Sequence, residues 1–163
     1  MKQEQSRVVS MPGETWAYVS RRSGLQPEEI KSSIEKAFVE VTEAIARGGV
    51  RANGAPRAHY HYRDGGQVGF ELGFPIVPED AAAAQRAGLS TGRTLSGEAL
   101  TLVHEGPYDG LASAYKILER EFAALGLKGC GDTWEVYLND PDDTPADRLQ
   151  TQLFWPISER AAP

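Results

Sequence analysis

The chain has 163 residues, 40% of them hydrophobic, an ordinary globular composition that can bury a sizeable core as one domain. Its formal net charge of −6 argues against a direct nucleic-acid partner, because affinity for a phosphate backbone comes mostly from Lys and Arg. The single cysteine, Cys130, excludes an internal disulfide. No apolar run suits a signal peptide or a membrane crossing, so a cytoplasmic protein without membrane partners is expected.

Residues Val8 to Ser20 read as extended structure interrupted at Met11-Pro12-Gly13, and Arg21-Arg22-Ser23-Gly24 reads as a turn. A helix follows. Pro27 sits near its first position, Glu28 and Glu29 suit the positive end of its dipole, and Gly48-Gly49 ends it. Ile30, Ile34, Phe38, Val41 and Ile45 recur at helical spacing as one apolar stripe. Ala58 to Tyr62 and Gln67 to Phe74 then form a predicted hairpin around Asp64-Gly65-Gly66. Residues 77–93 read as a connector.

The second half repeats this outline. Thr94 to His104 is extended, and Glu105-Gly106-Pro107-Tyr108 turns. A helix from about Asp109 carries Leu111, Tyr115, Leu118, Phe122 and Leu125 as its stripe, and Gly126 stops it. Trp134-Glu135-Val136-Tyr137-Leu138 reads as a strand closed by Asn139-Asp140-Pro141. An acidic loop from Pro141 to Asp147 leads to the last strand, Leu149 to Trp155. Phe74-Pro75-Ile76 matches Trp155-Pro156-Ile157, so the half-repeats run over about 7–76 and 94–157 of one domain. The fold class is α+β: a duplicated strand–helix–strand–strand unit, its antiparallel sheet carrying two main helices on one face.

Superposing the two halves assigns faces. Matching Phe74 to Trp155 puts Val68, Phe70 and Leu72 with Leu149, Thr151 and Leu153 towards the helices, and leaves Glu71, Gln152 and Phe154 on the far side. Matching Asp64 to Asp140 puts Ala58 and Tyr60 with Trp134 and Val136 on the core side. His59, His61, Glu135 and Tyr137 then join the far face. One slipped residue would invert a strand.

The run His104-x-Gly106-Pro107-Tyr108 before a helix, then Trp134-Glu135-x-Tyr137-x-Asn139-Asp140-Pro141, then Trp155-Pro156-Ile157, resembles the GyrI-like small-molecule-binding domain. That family includes effector-binding domains of AraC- and MerR-type regulators. The resemblance is specific over Leu95 to Ile157 and weaker before it. It implies a ligand cleft between the halves and an aromatic-lined pocket with a buried acid, here Glu135, which meets lipophilic cations in multidrug-sensing members. Some stand-alone members resemble hydrolases that open the cyclopropane rings of DNA-alkylating natural products. With no room for a helix-turn-helix before Glu28, this chain is similar to the stand-alone members.

The expected partner is therefore a hydrophobic, aromatic or cationic small molecule, sequestered as in drug or toxin resistance. The alternative is hydrolysis, with Glu135 activating water and Tyr137 or Tyr108 holding a substrate carbonyl; a carboxylate desolvated among aromatics has the raised pKa that suits either role. A topoisomerase-inhibitor type of interaction stands third, suggested by the family name and the acidic loop. His59, His61, Trp16, Tyr18, Glu71, Gln152 and Phe154 complete the expected ligand-binding set, while Trp134 and Trp155 are assigned to the core. His59 and His61 sit at zinc-ligand spacing, with Glu135 or His104 as a conceivable third ligand. The resemblance implies no metal, and no motif asks for a cofactor.

Overall fold

The computed structural model describes residues 2–3, 5–64 and 67–159. In chain order its main elements are β1 (Lys2–Gln3), β2 (Arg7–Pro12), β3 (Thr15–Gly24), α1 (Pro27–Gly48), β4 (Arg57–Asp64), β5 (Gln67–Pro75), α2 (Ala81–Arg86) and β6 (Ser90–Arg93). There follow β7 (Ser96–Glu105), α3 (Leu111–Ala124), β8 (Lys128–Gly129), β9 (Thr133–Tyr137) and β10 (Gln150–Glu159). They form two compact units, Gly13–Thr94 and Met1–Pro12 with Leu95–Pro163. Strand β2 pairs with β7, so it belongs with the second half of the sequence rather than with the strand that follows it. The turn residues Gly65 and Gly66 and the side chain of Tyr62 lie outside the described residues.

In the unit Gly13–Thr94 the antiparallel strand order is β4-β5-β3-β6. Arg21 to Gly24, read from sequence as a turn, continue β3 and pair with Phe70 to Gln67. Their polarity misleads, because Ser23 is buried opposite Val68 and Arg21 reaches Glu40 of α1 across the helix-covered face. The connector also holds more order than its composition suggests: β6 adds an edge strand to β3.

Helix α1 ends where expected. Gly49 takes a left-handed φ of 64°, and Val50 donates back to the Ile45 carbonyl at 3.1 Å. Its buried line is Ala37, Val41 and Ala44, which shares Val41 with the predicted stripe, and Phe38 stays 39% exposed while its ring lies 6.0 Å from Phe74. Small side chains at the contact let the helix backbone approach the sheet, so the bulky stripe residues flank the seam.

Just beyond α1, Asp80 accepts from the Arg51 amide and from its Nε at 2.9 Å, and from Nη2 at 3.0 Å. These bonds hold the Asp80 carboxyl down at about 2. The pair's stabilisation is therefore complete above the ordinary carboxylate range and is lost as pH falls towards 2. A carboxyl ¹³C titration should give Asp80 this low midpoint, and Arg51→Ala should return it towards 3.8.

In the second unit β7 lies between β10 on one side and β1 and β2 on the other, with β9 beyond β10. Leu100, Leu102 and Leu153 pack against Ala114, Leu118 and Phe122 of α3, and the Phe122 and Trp155 rings stack at 5.2 Å. Leu125, predicted as the last member of this stripe, falls just past the helix and is 51% exposed. Each unit is thus an antiparallel sheet with its helix on one face, the duplicated α+β architecture that the sequence predicts. Among the described residues no helix is long and apolar enough to cross a membrane.

Candidate functional site

Trp134, Val136 and Tyr137 favour the extended chain of β9, and register with β10 fixes where each side chain points. Leu153 stands opposite Glu135 and Thr151 opposite Tyr137. Directly opposed residues on antiparallel strands share a face. Leu153 is fully buried in the α3 core, so Glu135 and Tyr137 face α3 as well. This corrects the predicted faces: Trp134 and Val136, with Gln152 and Phe154 opposite them, occupy the other side. Leu138, read from sequence as part of this strand, lies beyond the end of β9 and is 42% exposed.

Glu135 is 6% exposed, and both its oxygens are engaged. Tyr115 of α3 donates its hydroxyl to Oε2 at 2.7 Å, and Tyr137 donates to Oε1 at 2.8 Å. Tyr108 meets the Tyr137 ring edge-on, with centroids 6.1 Å apart and planes at 75°. A built turn positions Tyr108. Gly106 holds φ at 137°, where a β-carbon would be strained, and its amide donates to the Leu149 carbonyl at 2.8 Å. The Pro107 carbonyl accepts from the Gly110 amide and from His104 Nε2, each at 3.0 Å.

Burial pushes the Glu135 carboxyl above its usual range, and the two tyrosine bonds oppose that rise without cancelling it. Tyr108 is also raised, first by burial and then by the negative charges of Asp140 and Glu135. Among the described residues no Lys, Arg or His forms an ion pair with Glu135. A carboxylate out of water and without a cation costs several kcal/mol, so it takes up a proton or waits for a positive charge from outside. Phenol rings on its flank suit an aromatic cation.

Tyr115 was read from sequence only as a member of the α3 stripe. Its ring does pack at the core, while its hydroxyl completes the site. The visible signal was the polar tip of a tyrosine on an otherwise apolar face.

Gln152 donates to Thr101 Oγ1 at 3.0 Å and Phe154 is buried, both on the face of β10 away from Glu135. In the other unit, His59 Nδ1 lies 2.9 Å and His61 Nε2 3.9 Å from Glu71 Oε1, and the two imidazoles are 5.1 Å apart. Trp16 and Tyr18 stack at 4.6 Å, and Tyr18 is raised by burial and then by Glu71. These five belong to the face of their sheet away from α1. Among the described residues no group of three or more His, Cys, Asp or Glu side chains is arranged to hold a metal ion.

Residues 4–158 match the family model described as the GyrI-like small molecule binding domain. No curated protein sequence matches significantly. Among solved structures, the C-terminal domain of EcmrR superposes with a TM-score of 0.74 at 16% identity, over 96% of this chain and 98% of that one. A hydrolase from Listeria innocua gives 0.65 at 13% identity, over 94% and 92%. A protein solved bound to tetraphenylphosphonium gives 0.68 at 8% identity, over 95% and 94%. At these identities the superpositions establish the shared fold, and the family match covers nearly the whole chain. The chain belongs to the GyrI-like small-molecule-binding domain family.

Proposed function

We propose that this protein binds hydrophobic aromatic cations, with Glu135 as the charge partner and Tyr108, Tyr115 and Tyr137 as the aromatic and hydrogen-bonding surround. The observation that carries this reading is the buried Glu135 carboxylate, held by two hydroxyl donors and by no basic side chain among the described residues. A cation supplies the charge that the fold omits. The family match supports a small-molecule ligand, and a relative solved with tetraphenylphosphonium supports a lipophilic cation. Biologically, this is sequestration of a drug or toxin.

Titration with tetraphenylphosphonium should quench tryptophan fluorescence saturably, Trp134 being next to Glu135 in the chain. The uncharged triphenylphosphine oxide should bind at least about tenfold more weakly, since it leaves the buried carboxylate uncompensated. Equal affinities would remove Glu135 from recognition.

A second reading uses the same carboxylate as a general base. Its raised pKa favours this role, because burial makes the carboxylate a stronger base than an ordinary glutamate. Hydrolysis would show as ring-opened product from an electrophilic cyclopropane substrate, lost in Glu135→Gln. Binding without product leaves sequestration as the function.

A further inference from the structure

Beside the Glu135 cluster, the α3-facing side of three neighbouring strands carries a row made of His104 on β7, Thr151 on β10 and Tyr137 on β9. His104 pairs with Thr151, and Thr151 with Tyr137. His104 and Thr151 are both 0% exposed. Their polar atoms His104 Nδ1 and Thr151 Oγ1 have no hydrogen-bond partner among the described residues. Such an atom left unmatched in an interior is costly, and native proteins rarely leave one on each of two paired residues.

The protonation pattern of the pair follows from the turn. The Pro107 carbonyl can only accept, so His104 Nε2 carries the proton of their 3.0 Å bond. In the neutral ring Nδ1 is then a bare acceptor. The Thr151 hydroxyl both donates and accepts. One acceptor-only atom and one hydroxyl match a single group that has an O–H to give and a lone pair to receive. An apolar group or a carbonyl satisfies only half of that.

We propose that His104 Nδ1 and Thr151 Oγ1 form a hydroxyl seat: Nδ1 accepts the occupant's O–H, and the Thr151 hydroxyl donates to its oxygen. The occupant is either an internal water or the hydroxyl of a bound ligand; only the ligand source rests on the cation-binding reading. The row places the seat next to Tyr137, whose hydroxyl holds Glu135. The site therefore has two polar anchors of different kinds, a charged one for a cation and a neutral one for a hydroxyl.

Two measurements on the intact protein test this. The first is the ¹⁵N chemical shift of His104 Nδ1 in the ligand-free protein, in wild type, Thr151→Val and Thr151→Ser. A hydrogen-bonded Nδ1 in wild type that becomes unbonded in Thr151→Val and recovers in Thr151→Ser establishes the seat with water as occupant. The serine variant separates loss of the hydroxyl from loss of packing. The second compares tetraphenylphosphonium with (4-hydroxyphenyl)triphenylphosphonium. About fivefold tighter binding of the hydroxylated cation, lost in Thr151→Val while the parent cation still binds, establishes the ligand as occupant. An unbonded Nδ1 together with equal affinities overturns the seat. So does a bonded Nδ1 that Thr151→Val leaves unchanged. Failure of both cations to bind refutes the cation reading, and the shift measurement still decides the seat.

Discussion

Glu135→Gln is expected to separate binding from stability. Affinity for tetraphenylphosphonium should fall about 30-fold or more, the loss typical of removing one charge from a desolvated pair. Affinity for triphenylphosphine oxide should change by less than about threefold, since that ligand brings no charge to lose. Stability should move the other way. An ionised Glu135 is disfavoured in the fold, so its carboxyl titrates above the ordinary value of 4.5. Below 4.5 the group is protonated both folded and unfolded, and the fold carries no ionisation penalty. As pH rises from there through the raised folded pKa, the unfolded chain gains by ionising and native stability is lost. Glutamine keeps an oxygen and an amide for the Tyr115 and Tyr137 hydroxyls and never ionises. At neutral pH the variant should melt about 2–4 °C higher, the shift for roughly 1 kcal/mol in a chain of this size. That advantage should vanish in acid. Paired melting curves at pH 7 and pH 4 check the sign; a variant less stable at both would mean that the charged carboxylate stabilises the fold.

Gly73→Ala is expected to be among the most damaging single substitutions outside the site. Gly73 lies in β5 between Tyr18 of β3 and Arg57 of β4. A β-carbon there would stand 1.9 Å from the Ala17 carbonyl oxygen and 2.7 Å from the Tyr18 α-carbon. Both are backbone atoms, so no rotamer change relieves the overlap and the two strands must part. The loss should be about 3 kcal/mol or more, read as a melting point lower by roughly 6–12 °C. Gly92→Ala on the edge strand β6 is the control. Its β-carbon meets the Tyr18 side chain at 3.4 Å, an ordinary contact, and it should cost less than about 1 kcal/mol. Similar losses in the two variants would mean that strand spacing at Gly73 is not what limits stability.

Much of the fold could be read from particular residues. Pro27 and Gly49 bounded α1, the match of Phe74-Pro75-Ile76 to Trp155-Pro156-Ile157 exposed the duplication, and an acid inside an apolar strand pointed to Glu135. The face of that acid was misread for one physical reason. Along β4 the ladder runs from Tyr60 opposite Phe70 to Tyr62 opposite Gly69, so His61 is an extra, bulged residue. Aligning Asp64 with Asp140 and counting back passes through that extra residue and aligns His59 with Glu135. Counted through the ladders, Ala58 opposite Leu72 matches Glu135 opposite Leu153. One unpaired residue in β4 therefore carried the correct faces of Ala58, His59 and Tyr60 onto the wrong residues of β9. Tyr115 escaped for a different reason. Helical periodicity places a ring but not the hydroxyl at its end, and only the register of β9 brings Glu135 beneath it. Likewise β6, built from Ser90, Thr91, Gly92 and Arg93, has the composition of a loop and becomes a strand because β3 offers an unpaired edge.

The electrostatic basis of binding can be read at a single atom, the Glu135 carboxyl carbon, by ¹³C NMR titration with and without tetraphenylphosphonium. In the free protein the carboxyl should titrate above 4.5, and with the cation bound its midpoint should drop as the positive charge stabilises the ionised form. A midpoint at the ordinary value that the cation leaves unmoved would contradict a buried carboxylate waiting for an external charge.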